Sequence, residues 1–363
     1  MNILITGGAG YIGSHAVQRM LRDGHRVVCI DNLSRGHAEA MRRLGWRDGG
    51  GPLTFVESDI ADRAVVERAL VEHEVEAVMH FAALAYVGES VEEPLRYYRN
   101  NTAAALSLLE SIESATRAGA PLTRFIFSST CATYGEPPPT HIPIAETCPQ
   151  NPINPYGRSK LHVEHILADF AHMMRVQGRE FSYANLRYFN VAGSDTSGVL
   201  GEDHKPETHL IPLVLQAAAG QRDAITIFGR DYPTPDGTCI RDYVHVEDLI
   251  DAHVVVLDSL GPRAAGGSSA SAPPLAAPGQ AYNLGIGRGY SVLEVIAAAR
   301  EVTGQPIPTR DGPRRLGDPP TLYANPAKIR SELNWQAKHT DLHKIIESAW
   351  KWMEKNPGGY QPL

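Results

Sequence analysis

The stretch NILITGGAGYIG, residues 2–13, decides the fold of this chain. It begins with an apolar, β-rich run and continues with glycines spaced as GxxGxxG at Gly7, Gly10 and Gly13. Glycine lets a backbone turn approach a phosphate closely, and a helix that starts after the turn offers free N–H groups and the positive end of its dipole. A strand before the glycines and a helix after them are the context that a dinucleotide-binding turn requires.

The alternation of strands and helices continues downstream of this turn. Strands are predicted at 2–6, 26–31, 54–57, 76–81, 124–129 and 182–188, and helices at 11–23, 62–72, 91–119 and 156–177. Strands that alternate with helices form parallel sheets. The chain is therefore predicted to be an α/β protein, with a Rossmann-type doubly wound parallel sheet and a smaller mixed α/β C-terminal substrate region.

An acidic residue, Asp31, ends the second predicted strand. A carboxylate at this place can bind the ribose hydroxyls of a dinucleotide and would repel a 2′-phosphate. The sequence therefore favours NAD over NADP as the cofactor.

The pattern changes near residue 190, after which proline and glycine become more frequent. Residues 1–189 are predicted to form the NAD-binding Rossmann domain, to which the chain returns around 238–260. Residues 190–363 are predicted to form mainly the substrate-binding region. Within it, the stretch 264–280 is rich in Gly, Ser, Ala and Pro and is predicted to be a flexible insertion.

A phenol and an ammonium lie four residues apart in the sequence YGRSK, at Tyr156 and Lys160. Residues i and i+4 share a helix face, so the lysine is expected to stabilise the phenolate and lower the pKa of the phenol from about 10. Thr130 follows a predicted strand in FSST, where ligands bind in such folds, and its hydroxyl can hydrogen-bond a sugar oxygen. YxxxK alone also occurs by chance on helix surfaces, but with the glycine turn it predicts nicotinamide chemistry on an alcohol.

Composition excludes several other classes of function. The chain has 363 residues, 43% hydrophobic and 21% charged, with a formal net charge of −7 and no basic stripe. No apolar run approaches the ~20 residues of a membrane span. Neither nucleic acid nor a membrane is therefore expected as a partner.

The cysteines and histidines do not suggest a metal or disulfide framework. The cysteines are far apart, and the start of the chain has no signal-peptide pattern, so a cytoplasmic protein with reduced thiols is expected. His162 and His165 have helical spacing, but no carboxylate or cysteine set completes a site, and no metal is predicted.

Further segments carry a resemblance that spans nearly the whole chain. They occur in the order HFAA (80–83), VGES (87–90), STCATYG (129–135), PINPYG (152–157), LRYFN (186–190), DGTCIRDY (236–243) and RRLGD (314–318). With the glycine turn and YxxxK, the chain resembles the extended short-chain dehydrogenase/reductases, and within them the UDP-sugar 4-epimerases.

The resemblance implies roles for particular residues. Cofactor contacts are implied for Gly7, Gly10, Tyr11, Ile12, Gly13, Asp31, Asn32, Asp59, Ile60, Phe81, Ala82, Asn100, Ser128, Tyr156, Lys160 and Tyr188. Substrate contacts are implied for Thr130, Tyr156, Asn190, Leu210, Phe228, Arg241, Arg315, Asp318 and Leu322, and catalytic roles for Thr130, Tyr156 and Lys160. The chemistry agrees, because arginine forks suit a diphosphate and an aromatic ring suits uracil.

Four positions differ from patterns common in the family. Thr130 stands where many relatives have serine, and Ala85 stands where some relatives carry a lysine near the nicotinamide ribose. Leu322 stands where a large tyrosine excludes N-acetyl sugars in some relatives and a small residue admits them in others. His209 replaces an asparagine in the nucleotide region.

The resemblance implies an isomerase of nucleotide-sugar and galactose metabolism. The expected reaction is 4-epimerisation of UDP-galactose to UDP-glucose through a transient 4-keto sugar, with NAD bound throughout. UDP-arabinose/UDP-xylose and UDP-N-acetylglucosamine 4-epimerisation are the alternatives. A 4,6-dehydratase would need an acid pair after Thr130, where Cys131 and Ala132 stand.

The sequence leaves one alternative from another class and one expectation about assembly. A non-catalytic NAD-binding sensor would have lost the tyrosine, the lysine or the hydroxyl, and all three are present. The family further implies a homodimer, in which 91–119 and 156–177 pair with a second subunit.

Overall fold

The computed structural model describes residues 1–47, 50–261, 279–315 and 317–361. The strands, in chain order, are β1 Asn2–Thr6, β2 Arg26–Asp31, β3 Leu53–Glu57, β4 Ala77–His80, β5 Arg124–Thr130, β6 Ser182–Tyr188, β7 Asn190–Ala192, β8 Ile225–Phe228, β9 Ile240–Arg241, β10 Tyr243–His245, β11 Gly279–Leu284, β12 Tyr290–Ser291, β13 Thr309–Gly312 and β14 Thr321–Leu322. The α-helices are α1 Tyr11–Arg22, α2 Ala38–Arg43, α3 Arg63–Glu72, α4 Val87–Glu92, α5 Pro94–Tyr97, α6 Ala104–Arg117, α7 Pro155–Val176, α8 Leu210–Ala218, α9 Val246–Ser259, α10 Val292–Thr303, α11 Ala327–Leu333 and α12 Leu342–Lys355.

Seven parallel strands form the central sheet, in the order β11-β6-β5-β4-β1-β2-β3. The chain builds outward from β1 through β2 to β3 and then crosses to β4 on the other side of β1. The strand order therefore reverses between β1 and β4, and a ligand site is expected outside the carboxyl ends of these strands. The predicted Rossmann-type fold is confirmed.

Helices cover both faces of this sheet because alternate residues of a strand point to opposite sides. Ile3 and Ile5 pack into a buried cluster with residues of α1 and α9, whereas Leu4 packs into a second cluster with residues of α3, α6 and α7. All three of these strand residues are fully buried. The near-continuous apolar sequence of β1 follows from this two-sided burial.

A smaller region lies over the carboxyl ends of the central strands. It contains the pairs β7–β10 and β8–β13 and the three-stranded sheet β12-β9-β14. Its own buried cluster joins residues of α8, α10 and α12. Among the described residues, no helix is both long and apolar enough to cross a membrane.

The prediction of one helix over 91–119 is wrong. The chain forms α4 and α5 with a break at Glu93, where φ is −124° and ψ is 58°. Pro94 causes this break, because a residue that precedes proline is driven out of the helical conformation. A π-helical turn, Tyr98–Ala103, then leads into α6.

The chain returns to the central layer in two steps. The predicted interval 238–260 contains α9, which packs on the sheet, but the returning strand is β11, which was not predicted. The insertion predicted at 264–280 lies outside the described residues, except Gly279 and Gln280, which begin β11.

Candidate active site

A cleft of about 1180 Å³ runs along the carboxyl ends of the central strands and is closed on its far side by the smaller region. It is lined by all residues for which the sequence implied a contact. On the cofactor side these are Gly7, Gly10, Tyr11, Ile12, Gly13, Asp31, Asn32, Asp59, Ile60, Phe81, Ala82, Asn100, Ser128, Tyr156, Lys160 and Tyr188. On the substrate side they are Thr130, Asn190, Leu210, Phe228, Arg241, Arg315, Asp318 and Leu322.

The glycine turn has no room for side chains. Gly7 has a φ of +70°, and a Cβ atom there would lie 2.5 Å from the backbone nitrogen of Ala82. A Cβ on Gly13 would collide with the carbonyl of Gly7. The first-turn amides of α1, which have no partners within the helix, lie at this wall of the cleft. The turn therefore fits an anionic group such as a pyrophosphate.

Asp31 holds the glycine turn in place. One carboxylate oxygen accepts a hydrogen bond from the amide of Ala9 at 3.0 Å, and the other accepts from the amide of Leu33 at 2.8 Å. Burial raises the pKa of this carboxyl, and the two amides act in the opposite direction. A carboxylate has about four acceptor sites, so Asp31 retains capacity for ribose hydroxyls. With the glycine turn, this donor and acceptor set fits NAD.

The helix α7 begins immediately before Tyr156. The Asn154 side chain accepts a hydrogen bond from the amide of Gly157 at 2.8 Å, and Pro155 occupies the first helical position. Both features are preferred at a helix start. The structure thus places Tyr156 in the first turn of α7 and Lys160 one turn later, both at the cleft.

Lys160 is buried and Tyr156 is partly buried, and loss of solvation is the main influence on the pKa of each. Burial lowers the pKa of Lys160 to about 7. Burial raises the pKa of Tyr156 to about 12, and a hydrogen bond with Thr130 acts in the opposite direction. In the folded chain, desolvation of the phenolate therefore outweighs the stabilising contacts, and the lowering expected from Lys160 together with a positive nicotinamide stays a prediction.

The end of β5 supplies three hydroxyl groups with different partners. Thr130 accepts a hydrogen bond from the amide of Ala132 at 3.1 Å and so begins a short 3₁₀ turn. The hydroxyls of Ser128 and Tyr188 are hydrogen-bonded to each other. Ser129 donates to Glu164 on α7. Of the three β5 hydroxyl residues, Ser128 and Thr130 line the cleft.

A buried ion pair beside the residues predicted to be catalytic was missed in the sequence. Glu164 lies one turn after Lys160, and Arg187 is the next-to-last residue of β6. The Nε atom of Arg187 donates to Glu164 at 2.9 Å, and its guanidinium also reaches Tyr134 at 3.0 Å. This pair ties α7 to the sheet. An arginine within an apolar strand, with a glutamate on the facing side of the catalytic helix, was the available signal.

Asn101 is a second positioning residue that was missed. Its amide donates to the Leu84 carbonyl at 2.9 Å and to the Ser159 hydroxyl at 3.0 Å, and its oxygen accepts from the Leu84 amide at 2.8 Å. It therefore connects the loop after β4 to α7. The π-helical turn that carries it also places Asn100 at the cleft.

The far end of the cleft carries the cationic and aromatic residues. Arg241 pairs with Asp318 and donates to the carbonyl of Pro319 at 2.7 Å. The guanidinium of Arg315 lies 4.0 Å from the centre of the Phe228 ring. This end of the cleft therefore contains two guanidinium groups and one aromatic ring, a combination that suits a nucleoside diphosphate.

Leu322 lies in the wall of the cleft beside the sugar end. It is in β14 and packs in a small buried cluster with Tyr134, Ile144 and Phe189. Its side chain is thus held by the core while it also borders the cleft.

Comparisons with known proteins agree with this geometry. Residues 3–269 match the model of the NAD dependent epimerase/dehydratase family. The chain is 44% identical over 362 residues to the UDP-glucose 4-epimerase of Lacticaseibacillus casei, covering 99% of both chains. It is also 44% identical to UDP-arabinose 4-epimerase 1 of Arabidopsis thaliana, covering 99% of this chain and 81% of that protein.

A solved structure extends the similarity to the whole fold. UDP-glucose 4-epimerase from Bifidobacterium longum, in complex with NAD+ and UDP, superposes with a TM-score of 0.87 at 38% identity, covering 99% of this chain and 100% of that one. The family model spans well over half of the chain. The chain belongs to the NAD-dependent epimerase/dehydratase family.

Proposed function

We propose that this protein is a UDP-sugar 4-epimerase that interconverts UDP-galactose and UDP-glucose with bound NAD. The observation that carries the proposal is the meeting of Thr130, Tyr156 and Lys160 midway along a single cleft, with the glycine turn at one end and Arg241 and Arg315 at the other. A cofactor and a nucleotide sugar can therefore reach the same tyrosine from opposite ends. The similarity to curated 4-epimerases supports the same reaction.

Tyr156 and Thr130 act on the sugar 4-hydroxyl. Thr130 donates a hydrogen bond to the sugar oxygen, and Tyr156 in its phenolate form takes the hydroxyl proton. Bound NAD would supply the acceptor for the hydride of C4 and its return, and its positive nicotinamide would favour the phenolate of Tyr156. The 4-keto sugar turns over between the two transfers, and the proton then moves from Tyr156 back to the sugar oxygen. The reaction is redox-neutral overall.

Lys160 positions the end of β5 and adjusts the charge near Tyr156. It is buried, and its Nζ atom donates to the carbonyl of Ser128. Its lowered pKa leaves it close to equal populations of charged and neutral forms near neutral pH. A negative charge nearby, such as the phenolate of Tyr156, therefore favours the charged form of Lys160.

The nucleotide end holds the substrate while the sugar turns. Arg241 and Arg315 bind the diphosphate, and Phe228 contacts the uracil. Asp318 fixes the guanidinium of Arg241 through their ion pair. Leu210, at the start of α8, and Asn190, in β7, border the same space. Binding energy at this end is independent of the sugar orientation, so both epimers are retained.

The roles of the two regions follow from this arrangement. Residues 1–189, joined by the returning segment, carry the NAD site, and residues 190–363 carry mainly the UDP-sugar site.

The cysteines Cys29, Cys131, Cys148 and Cys239 are all free thiols, which supports a cytoplasmic location.

The protein acts as a homodimer in this proposal. Leu95 on α5 is 79% exposed, and Val91 and Leu106 on neighbouring helices are also exposed. These apolar side chains lie on the segment 91–119 that was expected to face a second subunit. Light scattering after gel filtration tests the proposal, and Leu95→Glu is expected to shift a dimer towards monomer.

Substrate identity is tested by incubating the purified protein, without added NAD, with UDP-galactose and separately with UDP-arabinose. Faster formation of UDP-glucose from UDP-galactose is the expected result and shows that NAD co-purifies. Faster formation of UDP-xylose would move the activity to the pentose branch, to which the plant relative belongs. If neither sugar reacted even after addition of NAD, the proposed function would be wrong.

A further inference from the structure

A cluster of two histidines and two glutamates lies in the wall of the cleft. Glu202, His204, Glu207 and His209 are carried by the segment between β7 and α8. Three of them line the cleft. None of the catalytic or nucleotide-binding steps proposed above uses them.

The donor atoms of the cluster converge on a small volume. One ring nitrogen or carboxylate oxygen from each residue lies within 4.8 Å of the other three. The Nδ1 atom of His204 is 3.2 Å from Glu202 and 3.5 Å from Glu207. The Nδ1 atom of His209 is 2.5 Å from Glu202 and 3.7 Å from Glu207.

These separations approach those around a tetrahedral transition-metal ion. Nitrogen and oxygen ligands bind zinc at about 2.0–2.2 Å, which places neighbouring ligands about 3.3–3.6 Å apart. Three of the four separations above lie close to this range, and Glu207 offers one carboxylate oxygen to His204 and the other to His209. The contact between His209 and Glu202 is shorter and has to lengthen by about 1 Å when a metal enters.

One ring nitrogen of the cluster lacks the partner that a charged hydrogen-bond network would give it. The Nδ1 atom of His204 is shielded from solvent, and among the described residues it makes no hydrogen bond of acceptable geometry, although Glu202 is near. The side chains of Glu202 and Glu207 are only 7% and 5% exposed. An inward-facing nitrogen beside two buried carboxylates is a ligand arrangement.

The rings of Tyr11 and Tyr86 enclose the cluster from the cofactor side. Their centroids lie 6.2 Å and 6.0 Å from that of His204, with edge-on geometry. Arg35 stacks on Tyr86 and donates to the carbonyl of Lys205 at 2.8 Å. The guanidinium also pairs with Glu89 at 2.6 Å, and among the described residues no ion pair joins it to the four donors.

A second group of possible metal ligands, His245, Glu247 and His339, differs from the first in the hydrogen bonding of its histidine nitrogens. There the Nδ1 atom of His245 accepts from the Glu247 amide, and its Nε2 atom lies 3.0 Å from Ser348. The Nδ1 atom of His339 is bonded to Asp248. These nitrogens all have hydrogen-bond partners, whereas in the first group the Nδ1 atom of His209 has one in Glu202 and the Nδ1 atom of His204 has none among the described residues.

We propose that Glu202, His204, Glu207 and His209 bind one divalent transition-metal ion of the zinc class. Two imidazoles and two carboxylates are ligands that suit Zn²⁺. The ion joins both ends of the segment 202–209, which leads directly into α8, so it stiffens the wall of the cleft at Leu210. The proposal stands or falls separately from the epimerase activity.

The experiment measures metal binding by the NAD-loaded protein after treatment with a chelator. Titration with Zn²⁺ is expected to show one ion per chain, an affinity that rises with pH because bound histidines are deprotonated, and a higher melting temperature. His204→Ala and Glu207→Gln are each expected to weaken binding roughly 100-fold or more, since loss of a residue that only hydrogen-bonds a metal ligand costs roughly 10- to 100-fold. Absence of stoichiometric binding would overturn the proposal.

A matched control removes an imidazole–carboxylate pair elsewhere. His343 lies 2.9 Å from Glu301 on the surface, and His343→Ala is expected to bind Zn²⁺ like the wild type. Binding weakened equally in all three variants, or in none, would contradict the proposal. X-ray absorption of the Co²⁺-loaded wild type provides a test without variants, because two imidazole ligands are expected and a spectrum without them would also overturn it.

Discussion

The Nζ atom of Lys160 donates a hydrogen bond to the carbonyl oxygen of Ser128 at 2.8 Å. This bond joins α7, which carries Tyr156, to the end of β5, where Thr130 carries the other hydroxyl proposed to contact the substrate. It also gives a buried ammonium a partner that has no charge of its own. The pKa of Lys160 therefore stays low, at about 7, and the charge of the site depends on pH near neutrality.

The pH dependence of unfolding tests this state of Lys160. The pKa of Lys160 is lower in the folded protein than in the unfolded chain, so its burial destabilises the fold progressively as the pH falls from about 10.5 towards 7. Lys160→Met removes the penalty. The variant is expected to exceed the wild type in free energy of unfolding, and this difference should grow by about 1.4 kcal/mol for each unit by which the pH falls from 9 to 7. Urea denaturation at both pH values checks this, and a pH-independent difference would contradict it.

Tyr156→Phe is expected to reduce turnover by roughly 10²- to 10⁴-fold, because a positioned acid–base group contributes about that factor. Binding of NAD and of UDP should remain, since the ring keeps its packing. Tyr98→Phe is the matched control, because Tyr98 stacks on His162 away from the proposed chemistry. Steady-state rates and ligand titrations decide the matter, and near-normal activity of Tyr156→Phe would remove Tyr156 from the mechanism.

Gly13→Ala tests the pyrophosphate turn. The added methyl group would collide with the Gly7 carbonyl, so the turn has to move and NAD should be lost on purification. Gly88→Ala is the control, since a Cβ atom there meets nothing within 4 Å. Absorbance of the released cofactor measures occupancy. Equal NAD content in both variants would show that the turn does not hold the pyrophosphate.

The ion pair between Glu164 and Arg187 is expected to matter chiefly when one partner is removed. Glu164→Gln should cost about 3–5 kcal/mol of unfolding free energy, because it leaves a buried guanidinium without its countercharge. The double variant Glu164→Gln/Arg187→Met should recover part of this loss. Denaturation of Glu164→Gln, Arg187→Met and the double variant provides the comparison. Strictly additive losses of unfolding free energy would argue against an interaction between the two side chains.

Leu322→Tyr is expected to lower activity on N-acetylated UDP-sugars more than activity on UDP-galactose. A tyrosine at this position is larger than leucine, and the buried cluster that includes Phe189 lies behind it, so the added volume has to extend into the cleft. Leu322→Ala is the complementary variant and should favour the N-acetylated sugar. The ratio of kcat/KM values for the two substrates measures the effect, and equal losses on both would mean that Leu322 does not control access.

Local patterns in the sequence predicted the central architecture well. The predicted bounds of β1, β2 and β6 agree with the structure, and the glycine turn lies between β1 and α1 as expected. These features depend on alternation of strands and helices and on backbone conformation at glycine, which act over a few residues. The helix over 91–119 was wrong because Pro94 drives Glu93 out of the helical conformation and so interrupts the helix.

The sequence by itself determined the fold class, the family and the set of residues that could face a cofactor. Tertiary structure alone brought those residues into one cleft, added β11 to the sheet and paired Glu164 with Arg187. It also raised the pKa of Tyr156, since desolvation depends on every neighbour that excludes water. Short-range spacing encodes strands, helices and turns, whereas burial and charge pairing between distant segments arise only when the chain is folded.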